Sequence, residues 1–198
     1  MFALVESGSI TKMLNGRRGI TIGDIQHPQQ IFTLWTEAER NAIGIYTVEM
    51  DESKKKDEQW YINTDITYTF SGGKVTGSYG DATARAHADT NKKDEDGNDL
   101  DPVVVILGLK SQLISDVKAT AANELNKTDW YVVRKTEEST AIPSAVTTHR
   151  RAVRSKAAAM ETSITNASNT PALETLYTYT EQEDGTYTRP IGELPTLE

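Results

Sequence analysis

The sequence of 198 residues contains no cysteine, which removes disulfides and thiolate metal sites at once. That suits a reducing interior, and equally an assembly built there and later released. No window approaches the roughly 18 consecutive apolar residues of a membrane span, and no basic stretch followed by an apolar core opens the chain. Neither a span nor a secretory signal is therefore expected. Histidine is scarce: His27, His87 and His149 lie far apart, without the paired spacing of a zinc site. Positive charge is also short. The formal net charge of −8 opposes the counterion displacement on which general nucleic-acid binding depends. Hydrophobic residues make up only 37% and the mean hydropathy is −0.52, yet apolar periodicity persists along most of the chain, so this is a folded composition.

Familiar chemical motifs are missing as well. Asp94, Asp96 and Asn98 echo the first ligand positions of a calcium loop, but Asp99 stands where that loop turns on glycine and Val105 where it closes on glutamate. Ser71-Gly72-Gly73-Lys74 lacks the spacing of a phosphate loop and leads into a strand, not a helix. Gly16-Arg17-Arg18-Gly19 reads as a charged turn in acidic surroundings. No Gly-x-Ser-x-Gly elbow is present, and no carboxylate pair is singled out. Neither an enzyme nor a cofactor site is expected.

The elements that are present predict an α+β fold. Two short β runs punctuated at Ser7-Gly8 and Asn15-Gly16 suggest a hairpin, and Thr36 and Glu39 have the spacing of a capping box for a short helix that Gly44 closes. Tyr46, Val48 and Met50 alternate as a strand. A longer alternation through Trp60, Ile62, Ile66, Tyr68 and Phe70 turns at Ser71-Gly72-Gly73-Lys74 into a partner carrying Val75 and Tyr79. Residues 1–87 thus read as a small antiparallel sheet with one short helix, and 88–101 as an acidic linker. Residues 102–176 read as a helical hairpin, and 177–198 as a terminal hairpin turning at Asp184-Gly185, with an extended tail expected to fray. Thr170 is the expected cap of a last short helix, with Pro171 at its first position.

The organising stretch is 128–154. Before it, apolar positions 109, 113, 117, 121 and 125 form an i, i+4 ridge; after it, Val146, Val153, Ala157, Met160, Ile164 and Ala167 repeat at helical spacing. Two facing helices follow, with Asp129 and Trp130 at their join. An indole buried there as a plug would cost about 3–5 kcal/mol to remove. A basic stripe of Arg150, Arg151, Arg154 and Lys156 lies on the second helix. Arg150 and Arg154 share a face, from which either could grip Asp129 or Glu137. The same guanidinium groups could instead dock an acidic partner.

Thr128-Asp129-Trp130, Arg134, Ile142-Pro143, Val146, Arg150 and Val153-Arg154 together resemble the phage tail assembly chaperones and related small tail-fibre-associated proteins of tailed, especially marine, bacteriophages. The match covers about 60 residues, roughly 110–170 of this sequence. Phe2-Ala3-Leu4-Val5 with Ser7-Gly8, and Ala42-Ile43-Gly44-Ile45-Tyr46, look like the N-terminal modules of such proteins. The resemblance implies a non-enzymatic role at the tail or its fibres, with other tail proteins as partners and several copies in a symmetric assembly. It implies synthesis in the bacterial cytoplasm and residence in the virion tail. Asp129, Trp130, Arg134, Arg150 and Arg154 are the candidate partner-binding or structural residues. A virion adaptor is the first expectation and a transient tail-fibre assembly chaperone the alternative. A glycan hydrolase, from another class, would need a carboxylate pair that nothing in the sequence nominates.

Overall fold

The computed structural model describes residues 1–197 and has an α+β architecture in two compact units, Met1–Thr83 and Ala84–Glu198. In the first unit, β1 (Phe2–Glu6) and β2 (Ser9–Leu14) form a hairpin. Ser7 and Gly8 both adopt positive φ at its turn, matching the twist of the strands. A second small hairpin follows in β3 (Ile20–Ile22) and β4 (Ile25–His27), then a 3-10 turn over Gln29–Phe32.

Helix α1 (Glu37–Ala42) begins on a complete capping box: Thr36 Oγ1 accepts from the Glu39 amide, and the Thr36 amide donates to the Glu39 carboxylate. That amide is the main reason the Glu39 carboxyl lies below its ordinary pKa. Gly44, at φ +81°, reverses the chain into β5 (Ile45–Asp51). The unit continues with β6 (Tyr61–Ile62), β7 (Thr67–Ser71) and β8 (Lys74–Ser78), and β9 (Thr83–Ala84) lies at its boundary.

The main sheet has the order β2-β1-β5-β8-β7, and it curls until β2 and β7 approach each other. Strand β1 divides its side chains between two cores by simple alternation. Leu4 packs on one face with Ile20, Ile31, Phe32 and Ile45; Ala3 and Val5 pack on the other with Val75. Fully buried Ile31 and Ile45 each contribute on the order of 1.5–3 kcal/mol.

Two expectations for this unit need correction. The sheet is not purely antiparallel, because β5 and β8 pair in parallel, Val48 opposite Val75 and Asp51 opposite Ser78. The long strand expected from Trp60 to Phe70 is also broken between β6 and β7. There the polar side chains bond the backbone and displace the ladder: Asn63 Oδ1 accepts from the Lys56 amide and its Nδ2 donates to the Lys56 carbonyl, both at 2.8 Å. Thr64 Oγ1 accepts from the Gly80 amide at 2.6 Å. Trp60 is buried, but at a turn that precedes β6.

In the second unit, the acidic segment expected as a linker is the limb and turn of a two-stranded ribbon. Strand β10 (Thr90–Asn91) pairs with β11 (Val105–Ile106), and Asp94 Oδ1 accepts from the Asp96 and Asn98 amides within the turn. The helices are α2 (Leu109–Asn126), α3 (Asp129–Glu138), α4 (Ser144–Asn166) and α5 (Thr170–Tyr177).

Helices α2 and α4 pack against each other. They run antiparallel, since Lys110 Nζ donates to the Thr165 carbonyl at one end and Arg150 Nη1 to the Leu125 carbonyl at the other. Their predicted apolar ridges face inward: Leu109, Leu113, Val117 and Ala121 are buried on α2, and Val146, Val153, Ala157, Met160 and Ile164 on α4. Helix α5 is capped by Asn169, whose Oδ1 accepts from the Ala172 amide, and not by Thr170. The Thr170 hydroxyl is committed elsewhere, donating to the Arg85 carbonyl at 2.6 Å.

The chain closes with the expected hairpin of β12 (Thr180–Glu181) and β13 (Tyr187–Thr188). Its tail does not fray as expected. Ile191 is buried and its amide donates to the Leu176 carbonyl at 3.0 Å, which docks the tail on the end of α5. No helix among the described residues is long and apolar enough to cross a membrane.

Candidate functional site

The join between α2 and α4 holds a third helix, α3, and a clamp that orients it. Arg150 is buried on the first third of α4. Its Nη1 donates to the Leu125 carbonyl and to Thr128 Oγ1, both at 2.7 Å, and its Nη2 meets Asp129 Oδ1 at 2.8 Å. Thr128 is itself 1% exposed, and its hydroxyl donates in turn to the Leu125 carbonyl. One planar guanidinium thus holds the end of α2, the turn, and the first residue of α3. Asp129, in the first turn of α3, also suits the positive end of that helix.

Next to this clamp, Glu124 and His149 are both buried, with His149 Nε2 lying 3.2 Å from Glu124 Oε1. Lys127 donates to the Glu124 carboxylate. That contact is the largest cause of a lowered Glu124 pKa, opposed by burial and assisted by the Leu197 amide and by His149. A carboxyl depressed in the folded state contributes stability that is complete above its unfolded pKa and fades as pH falls through the folded value. Glu124→Gln should therefore flatten the acid limb of the melting-temperature profile, below the ordinary carboxylate range. A limb identical to that of the unaltered protein would show that Glu124 does not couple folding to pH.

Trp130 does not plug the helix pair. It is 51% exposed, because the first turn of α3 points it away from α2 and α4. Its ring lies 3.8 Å from that of Tyr131, and the Arg134 guanidinium sits over both, 4.7 Å and 5.4 Å from the ring centres. The expected loss of about 3–5 kcal/mol on truncation falls with the plug. Trp130→Ala should change stability by less than about 1 kcal/mol, the range of exposed positions. Thermal unfolding checks this, and a large drop in melting temperature would restore the indole to a packing role.

The candidate residues therefore separate into two groups. Asp129 and Arg150 come together as an ion pair, while exposed Trp130 and half-buried Arg134 form an aromatic–cation stack on α3. Arg154 joins neither. It is exposed, makes no salt bridge among the described residues, and lines a groove of about 380 Å³ together with Val132, Ile142, Thr147, Arg150 and Arg151.

Sequence reasoning missed Thr128 as an anchor, the Glu124–His149 pair and this groove. A signal did exist. Glu124 and Thr128 are four residues apart, and His149 and Arg150 are adjacent, so the polar ends of the two apolar ridges were bound to meet.

Among the described residues no cluster of three histidine or carboxylate groups is arranged to hold a metal ion. No family model, curated protein or solved structure matches the chain.

Proposed function

We propose that this protein is a non-enzymatic docking adaptor of a bacteriophage tail or tail fibre, carried in the finished particle. The observation that carries the reading is α3. It is 10 residues long and has no fully buried side chain, only Asp129, Tyr131 and Arg134 being half-buried, whereas helices this short are marginal in water without a packed face. It is held in place by Arg150, and it displays Trp130, Val132 and Val133 to solvent. An exposed tryptophan stacked with an arginine on a tethered element is the composition of protein–protein hot spots. The tail setting rests on the resemblance of this same stretch to tail-associated phage proteins.

Quantitative mass spectrometry of purified infectious particles tests the reading, with this chain counted against the major tail protein. A fixed ratio matching tail symmetry is the expected result. Near absence from particles, with abundance in the infected-cell lysate, would replace the adaptor by an assembly chaperone using the same face of α3. Trp130→Ala, folded as above, should be poorly incorporated; normal incorporation would move docking away from α3.

A further inference from the structure

The β10–β11 ribbon carries a surface that the adaptor reading does not use. Val103, Val104, Val105, Ile106 and Leu107 are consecutive, and each is between 45% and 57% exposed. Both faces of the segment are apolar, and among the described residues only one of its edges is covered. The Lys92 amide donates to the Val104 carbonyl at 2.7 Å, and Thr90 lies opposite Ile106 and Asn91 opposite Val105. In an antiparallel ladder the backbone groups of successive residues point to alternate sides. Those of Val104 and Ile106 face β10, so those of Val103 and Val105 face outward. Further along, the Gly108 amide donates to Asp89 Oδ1, so the open edge stops after Leu107, whose carbonyl accepts one bond from Gln112 Nε2.

No charged or proline side chain protects this edge from within. Between Val103 and Leu107 there is no lysine, no proline and no charge of either sign. We propose that this edge pairs with the same edge of a second copy, antiparallel about a two-fold axis at Val105, so that two ribbons become one four-stranded sheet. The outward-facing residues allow this register. Val105 meets Val105 of the second copy as a hydrogen-bonded pair, Val103 meets Leu107, and Val104 meets Ile106.

Every cross-strand pair is then apolar against apolar. The antiparallel sense sends the carboxylates of Asp99 and Asp101 to opposite ends of the joined strands, where the two copies do not repel. The contact is isologous and closes on itself, giving a dimer and not a filament. It is independent of the tail assignment, because it needs no other protein.

The full chain, which has no cysteine of its own, tests the register directly. Sedimentation equilibrium over a concentration series should show a monomer–dimer equilibrium. Val105→Cys should give a disulfide-linked dimer under mild oxidation, since a hydrogen-bonded antiparallel pair sets Cα atoms about 5.5 Å apart, within disulfide reach. Ile106→Cys, facing Val104 of the second copy, should cross-link at least about tenfold more slowly, because its own counterpart lies beyond the roughly 7 Å limit. Val105→Pro removes an outward amide and no bond to β10, so it should be monomeric with the helical circular dichroism unchanged. A monomer at all concentrations with no Val105→Cys cross-link would overturn the proposal. Equal cross-linking at positions 105 and 106, or a dimer that survives Val105→Pro, would overturn this edge and register.

Discussion

Arg150→Ala should destabilise the protein by about 2–4 kcal/mol, because hydrogen bonds to a charged group are worth roughly 1.5–3 kcal/mol each and do not add fully. The substitution removes three bonds at once. The buried Thr128 hydroxyl loses its donor, the Leu125 carbonyl keeps its bonds from Thr128, and the first residue of α3 loses its anchor. The Asp129 side chain is about half exposed, so water takes over its charge and the loss stays below that of a stranded buried ion.

Arg154→Ala, at a solvent-exposed position of the same helix, should fall within about 0.5 kcal/mol of the unaltered protein. Arg150→Lys should lie between the two, since an ammonium cannot span the fork of carbonyl, hydroxyl and carboxylate. Urea unfolding followed by the helical signal measures all three. Equal midpoints for Arg150→Ala and Arg154→Ala would show that the clamp contributes nothing and that α3 is held in some other way.

The second large effect is expected at Gly44→Ala, about 3 kcal/mol in the first unit, from two costs of different kind. A left-handed backbone disfavours any Cβ by roughly 1–2 kcal/mol, and Gly44 stands at φ +81°. The added Cβ would also meet the Val5 carbonyl oxygen at 2.6 Å, a backbone atom that cannot swing aside. The strand it belongs to would have to move, disturbing the bond from the Val5 amide to the Gly44 carbonyl.

Gly8→Ala separates the two costs. Gly8 has a similar φ of +78° with open space around the missing side chain, so only the conformational part applies, and about 1 kcal/mol is expected. Chemical denaturation of both variants decides the matter. Equal losses would mean that the sheet yields freely at Val5.

The features legible in the sequence were those set by local spacing. The capping box at Thr36 and Glu39, the left-handed Gly44, the glycine turns and the two apolar ridges each need only a handful of residues to declare themselves. Both ridges could be read because a face buried in a helix pair repeats every three or four residues whatever it packs against. The parallel partner of β5 could not be read, since strand order depends on packing between segments far apart in sequence.

Trp130 misled for a related reason. Its size favours burial, but the first turn of α3 decides its direction, and periodicity gave no sign that a helix begins at Asp129. At the candidate site, charge and helical phase left Arg150 and Arg154 each able to grip Asp129 or Glu137, and only the fold selects Arg150 with Asp129. Thr128 was not legible at all, because a neutral hydroxyl carries no long-range signal.

The parallel register of β5 against β8 also shapes how the first unit is made. The β1–β2 and β7–β8 hairpins close over two-residue turns, Ser7-Gly8 and Gly72-Gly73, on the timescale of about 1–10 μs typical of such units. Joining β5 to β8 in the same direction has to wait until the chain from Glu52 to Gly73 has looped back, a non-local step whose entropy is spent before any contact rewards it. Until then the edge of β5 that β8 will cover stands open. For a newly made copy in a crowded cell this interval, and not the finished fold, is when aggregation competes.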